Sequence, residues 1–153
     1  MTPAIVFLEK QKAAFTLHQY DCTAQDDFGA HAAEQLGVPL ERVFKTLLTE
    51  GEQGAVVALV PSSGKVNLKR LAKAAGVKKL EMMPPQKAER LTGFKVGGIS
   101  PFAQKKRLVT VLDASAQEHD TVLVSGGKRG LSVGISAAEI ARLLNAACAP
   151  IAE

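Results

Sequence analysis

Val43-Phe44-Lys45-Thr46-Leu47-Leu48 sets one cation inside an apolar run, and a second apolar run, Ala55 to Val60, ends at Pro61. With a period of two, Phe44, Thr46 and Leu48 share one face of a strand while Lys45 and Leu47 share the other. The polar stretch Glu50-Gly51-Glu52-Gln53-Gly54 between the runs predicts a hairpin with a five-residue connection. A charge beside Leu47 is costly to bury unless it meets an anion or a cavity. Two readings of Lys45 stay open on spacing. One is an edge-strand lysine that snorkels or blocks aggregation, which spacing alone favours; the other is a cation aimed into a pocket.

Upstream of the hairpin, Thr2 and Pro3 suit the cap and first turn of an amphipathic helix over 3–13. Residues 15–21 alternate as a strand that points His18 and Tyr20 the same way. A turn-rich stretch, 23–29, leads into an alanine-rich helix over 30–36 closed by Gly37, and 38–42 form a loop or single turn. Downstream, Asn67 caps a helix over 68–75 that Gly76 ends; 78–81 suit a short strand, and 86–91 a helix stopped by Thr92-Gly93. Strands are expected at 108–112, 121–124 and 131–135, with a helical turn or loop over 113–120. The last two strands are joined by the turn Ser125-Gly126-Gly127-Lys128-Arg129-Gly130. Ser136-Ala137-Ala138-Glu139 is a capping box opening a helix with Ile140, Leu143, Leu144 and Ala147 at helical spacing. Six or seven short strands interleave irregularly with four or five helices, which predicts a mixed α/β (α+β) fold rather than a regular doubly wound sheet.

The 153 residues, 46% hydrophobic, suit a single domain spanning 1–153. No run reaches the roughly 20 apolar residues of a membrane helix, so a soluble, cytoplasmic protein is expected. Cys22 and Cys148 lie far apart without metal-ligand spacing, and both read as ordinary thiols; no metal and no cofactor is expected. The net charge of +4 and basic clusters at 65–79, 105–107 and 128–129 favour a polyanion such as RNA. Aromatics are only 5%, so RNA would be held by its backbone or by one end rather than by stacked bases.

There is no GxSxG elbow, no HExxH and no nucleotide-loop spacing. His18, His31 and His119 are scattered, with His18 of interest only because it stands beside Tyr20. The remaining candidates are Lys45 and two glycine-rich segments, Gly97-Gly98-Ile99-Ser100-Pro101-Phe102 and 125–130. Tight-turn geometry alone explains most glycine pairs. Each pair here stands near a serine and a basic cluster, so its N–H groups with a lysine nearby would suit a ligand that develops negative charge on an oxygen.

The lysine strand and the two glycine segments, in this order across nearly the whole chain, resemble the YbaK/EbsC family of aminoacyl-tRNA deacylases. That family is similar to the editing domain inserted in bacterial prolyl-tRNA synthetases, and within it the chain most resembles the YbaK type. The resemblance implies a curved, mostly antiparallel mixed sheet, or a barrel-like sheet, surrounded by helices. It implies a trans-editing activity that removes cysteine from Cys-tRNA(Pro), and from Cys-tRNA(Cys) beside it, with the aminoacyl 3' end of tRNA(Pro) as partner and prolyl-tRNA synthetase as a further candidate. The expected catalytic group is Lys45, Gly97, Gly98 and Ser100. Lys45 would hold the terminal phosphate or polarise the ester, and the glycine-loop amides would meet the carbonyl oxygen. The expected substrate contacts are Tyr20, Phe28, Thr46, Ile99, Pro101, Ser125, Gly126, Gly127 and Lys128. No protein nucleophile is implied, because the substrate thiol attacks its own ester and leaves as a cyclic thioester. The chain departs from the family pattern at Ala103, where a glycine often stands, and over 132–136, which lack an acidic residue common late in the last strand. Two alternatives remain: the same chemistry on another small amino acid, and a non-catalytic module that binds RNA or a synthetase.

Overall fold

The computed structural model describes residues 1–23 and 27–153, in the chain order α1 (Pro3–Lys10), β1 (Thr16–Gln19), α2 (Phe28–Leu36), β2 (Phe44–Gly51), β3 (Gly54–Pro61), α3 (Leu68–Ala75), β4 (Glu81–Met82), α4 (Pro85–Thr92), β5 (Val109–Asp113), β6 (Val122–Ser125), β7 (Leu131–Ile135), α5 (Ala137–Leu144) and β8 (Ala147–Ala149). Two 3-10 turns, Leu40–Arg42 and Ala114–Glu118, complete the order. The turn-rich stretch expected at 23–29 lies in part, at 24–26, outside the described residues. α2 begins at Phe28, two residues earlier than the pattern suggests.

Local chemistry accounts for most of these boundaries. Thr2 accepts from the Ile5 amide and Asn67 from the Arg70 amide, so α1 and α3 start on side-chain caps. Gly37, Gly76 and Gly93 end α2, α3 and α4 in the left-handed conformation. At α5, Ser136 accepts from the Glu139 amide, but the Glu139 carboxylate does not return the bond: it takes Arg142 and the Ala14 amide. Asn145, at φ +51, ends α5 before Ala147, which therefore belongs to a strand rather than to the helix expected there.

The eight strands among the described residues form two sheets, one more strand than the largest number expected. β1-β7-β6 is antiparallel throughout. β4-β2-β3-β5-β8 is mixed, with β3, β5 and β8 parallel. Antiparallel pairs dominate, as the resemblance implies, but the sheet is not a closed barrel: the sheets meet at one parallel bridge, Val43 to Leu123. The β2–β3 hairpin is tighter than a five-residue connection allows. Gly51 pairs with Gly54 across the two-residue turn Glu52-Gln53, and Lys45 stands opposite Val60. The largest core packs α1 and α5 on the three-stranded sheet around Phe102, Leu8, Ile135 and Ile140, all fully buried; a second core lies between α3 and β3–β5.

Candidate active site

Beyond the Val43–Leu123 bridge the two sheets diverge, and a cavity of about 410 Å³ opens between β2, β6 and β7, roofed by α2 and the glycine loop that follows α4. Tyr20, Phe28, Lys45, Thr46, Gly97, Ile99, Ser125 and Lys128, all singled out above, line it. Lys45 is half-buried and makes no ion pair or side-chain hydrogen bond among the described residues. Both readings of its strand hold something: β4 covers β2 only at Thr49 and Glu50, so the edge at Lys45 is open, but it opens on the cavity.

Alternation along β2 is as expected. Phe44 and Leu48 enter cores on one face, and Leu47 packs on the other against the core under α3. Ser62 shares the face of Lys45, because its amide bonds the Val43 carbonyl at 2.7 Å and Lys45 pairs with Val60. The hydroxyls of Thr46 and Ser62 are both shut from solvent without a hydrogen-bond partner among the described residues, and both residues line the cavity. A buried polar group left unpaired costs about 1–3 kcal/mol. The two stand on opposite faces of the β2–β3 ladder, and both border the cavity with hydrogen-bonding capacity that no described residue takes up.

Tyr20 stands on the opposite wall. Burial pushes its phenol above the ordinary tyrosine range, and a hydrogen bond with Ser132 partly offsets this. Its ring lies 6.0 Å from that of His31, whose Nε2 is 2.9 Å from the Asp21 carbonyl. His18 bonds Thr16 at 2.9 Å and does not line the cavity.

The two glycine segments touch. A Cβ on Gly98 would stand 2.8 Å from the Lys128 Cα, so only glycine lets these backbones come together. Gly97, at φ +89, makes room for Phe28 and Arg129. The Arg129 guanidinium sits 4.5 Å from the Phe28 ring centroid and donates to the Val96 carbonyl, tying the loop to α2. Several expected contacts lie elsewhere. The Gly98 amide is held by the Lys95 carbonyl at 2.8 Å, Gly126 bonds Leu131, and Gly127 bonds Ser125 Oγ, so these amides are spent on the turns themselves. Ser100 is fully buried and accepts from the Phe102 amide; Pro101 lines a separate, smaller depression with Phe7 and Leu143. Gly98, Ser100, Pro101, Gly126 and Gly127 therefore shape the loops from behind rather than line the cavity.

Sequence reasoning missed Ser62, Ser132 and the Met82–Met83 wall. Ser62 was legible only through the hairpin register. At the departures from the family pattern, Ala103 takes φ +59, the conformation a glycine would adopt freely, and Ser132 occupies the cavity wall while Ser136 serves as the α5 cap. Among the described residues no cluster of three or more His, Cys, Asp or Glu side chains could hold a metal ion, and no helix is long and apolar enough to cross a membrane.

A half-buried, unpaired lysine, unpartnered hydroxyls and a glycine loop around one cavity define a small-ligand site of the kind that handles an anion or a polarised ester. Residues 26–143 match the aminoacyl-tRNA editing domain, and the chain belongs to that family. It is 38% identical over 152 residues to an Enterococcus faecalis protein named "Putative Cys-tRNA(Pro)/Cys-tRNA(Cys) deacylase EbsC", covering 98% of this chain and 92% of that one. A shorter match, 33% identical over 78 residues, covers half of this chain and 14% of the proline–tRNA ligase of Thermosipho africanus. The fold is that of a solved structure described as "a putative trans-editing enzyme for prolyl tRNA synthetase", with a TM-score of 0.88 at 23% identity over 99% of this chain and 95% of the other. The family to which this chain belongs is one of aminoacyl-tRNA editing.

Proposed function

We propose that this chain is a cytoplasmic trans-editing enzyme that removes cysteine from Cys-tRNA(Pro), and from Cys-tRNA(Cys) beside it. The observation that carries the reading is the make-up of the cavity among the described residues: an unpaired cation and unpartnered hydroxyls, with no histidine or cysteine in the lining. The relation to EbsC supplies the substrate class. Among the described residues no lining hydroxyl is hydrogen-bonded to Lys45 or Asp27 as a nucleophile to its base, and such a site suits a substrate that brings its own nucleophile. The substrate thiolate attacks its ester carbonyl; the S–C bond forms, the C–O bond to the ribose breaks, and the thiol proton ends on the ribose oxygen. The ring that closes holds the sulfur, Cβ, Cα and the carbonyl carbon. Four members make it strained, so the enzyme contributes by fixing the conformer that closes. Lys45 holds the terminal phosphate or polarises the ester, and the Gly97 amide stabilises the developing oxyanion, its neighbours Val96 and Gly98 being bonded to Glu89 and Lys95. The need is physical: a synthetic pocket that accepts proline cannot reject a residue of similar size by more than about 1–3 kcal/mol. Prolyl-tRNA synthetase is the partner that such an error source implies.

Deacylation of Cys-, Ser-, Ala- and Pro-charged tRNA(Pro), run beside Lys45→Ala, tests this. Cysteine should leave fastest, and Lys45→Ala should lose about 100-fold or more, the scale of one removed charge-stabilising group. Equal rates for cysteine and serine would overturn the thiol mechanism, unimpaired Lys45→Ala would remove the lysine from it, and no turnover of any substrate would leave a binding module.

A further inference from the structure

The β2–β3 ladder has a definite phase. Because the Ser62 amide bonds the Val43 carbonyl, odd-numbered residues of β2 turn their N–H and C=O toward β3, and even-numbered ones turn theirs to the opposite edge. On that edge the Leu48 carbonyl accepts from Met83 at 3.1 Å, Glu50 pairs with Glu81, and Phe44 lies against the Val43–Leu123 bridge. Thr46 falls between them. No strand pairs with its outward edge among the described residues, and its hydroxyl is buried without a partner on the same cavity. One residue in the wall of the site thus offers a peptide donor, a peptide acceptor and a hydroxyl, with nothing among the described residues to receive them.

An aminoacyl ester carries the complement of that edge. Its α-ammonium donates and its carbonyl oxygen accepts, and in an extended conformer the two point to the same side, as the N–H and C=O of a strand residue do. We infer that the aminoacyl group docks on β2 as a one-residue antiparallel strand, its ammonium on the Thr46 carbonyl and its carbonyl oxygen on the Thr46 amide. This rests on the deacylase reading and deepens it. The main chain of Thr46 reads what all aminoacyl esters share, so discrimination falls to the walls around the side chain and to the substrate thiol. It also gives the ester carbonyl a fixed donor, a role the Gly98 amide cannot fill while bonded to Lys95.

The probe is 3'-deoxy-3'-(L-cysteinylamino)adenosine, an amide-linked mimic of the charged tRNA end, titrated into the 15N-labelled full chain. Saturation should slow hydrogen exchange of the Thr46 amide at least tenfold, and the N-acetylated probe, whose cation is gone, should bind at least tenfold more weakly. Thr46→Val, which keeps the main chain, should retain the slowed exchange. Shifts at Gly97 and Ser125 with an unchanged Thr46 amide would overturn the strand-edge docking and leave the deacylase site standing. Loss of protection in Thr46→Val with binding intact would assign recognition to the hydroxyl and overturn it too, while no shift at any cavity amide would sink the docking and the site together.

Discussion

Gly29 and Ser62 compete for the same space. A Cβ built on Gly29 would stand 2.1 Å from Ser62 Oγ and 2.6 Å from Ser62 Cβ, so the serine is wedged against the bare helix backbone of α2. Alanine is the better helix former, and an exposed helix would gain from the change. Here overpacking wins: Gly29→Ala should cost about 1–3 kcal/mol in urea unfolding, and Ser62→Gly in the same chain should recover most of it. Simple additivity of the two changes would show that they do not share the space. Ser62 also shows where residue-level reading stopped. A five-residue connection would set Thr49 opposite Ala55, whereas Thr49 pairs with Val56. A shift of one residue moves every side chain to the other face, so the misjudged turn removed Ser62 from the neighbourhood of Lys45. Ala103 reads the other way: the sequence marks it as standing where a glycine is usual, and its φ of +59 gives the physical reason, a conformation costing an L-residue about 1 kcal/mol or more.

Elements with their own caps were legible from sequence, and elements held by distant partners were not. α3 has the expected bounds because Asn67 and Gly76 sit within its own segment. β8 went unread because Ala147-Cys148-Ala149 carries no β-branched residue and continues an alanine-rich helix. What fixes that end of the chain is Asp113, at the end of β5: its carboxylate takes the Ile151 amide at 2.9 Å, the Ala152 amide at 3.0 Å and Ser115. Burial alone would raise its pKa, but the bonds from Ser115, Ile151 and Ala152 outweigh it and hold the group below the ordinary carboxylate range. With the folded value depressed, the stabilisation is complete above the unfolded value of about 4 and disappears as pH falls through the folded one. The thermal midpoint of the wild type should therefore fall as pH drops below about 4, and Asp113→Asn, less stable at pH 7 by roughly 1.5–3 kcal/mol, should show a shallower acid limb. Parallel limbs would mean that other carboxylates govern acid unfolding.

At the scale of the whole molecule, a charge of +4 says that RNA contact is electrostatically reasonable but not where it occurs. The fold separates the basic clusters. Lys128 lines the cavity, and exposed Lys95 immediately precedes Val96 and Gly97, which line it. Lys69 and Lys73 are exposed on α3, whose buried side covers the second core, and neither lines the cavity. A tRNA whose charged end enters the cavity must lay its terminal phosphates near the first pair, while the second pair need touch nothing. Each phosphate contact contributes about −0.7 to −0.9 to the slope of log affinity against log salt, according to whether the RNA there is single- or double-stranded. Replacing Lys95 or Lys128 by alanine should therefore weaken tRNA binding and lower that slope by nearly one unit each, with no change in the preference for cysteine over serine. Lys69→Ala and Lys73→Ala should leave the slope within error. The reverse pattern would put the tRNA body on α3 and require the acceptor end to reach the cavity around β3, past Ser62 rather than over the glycine loop.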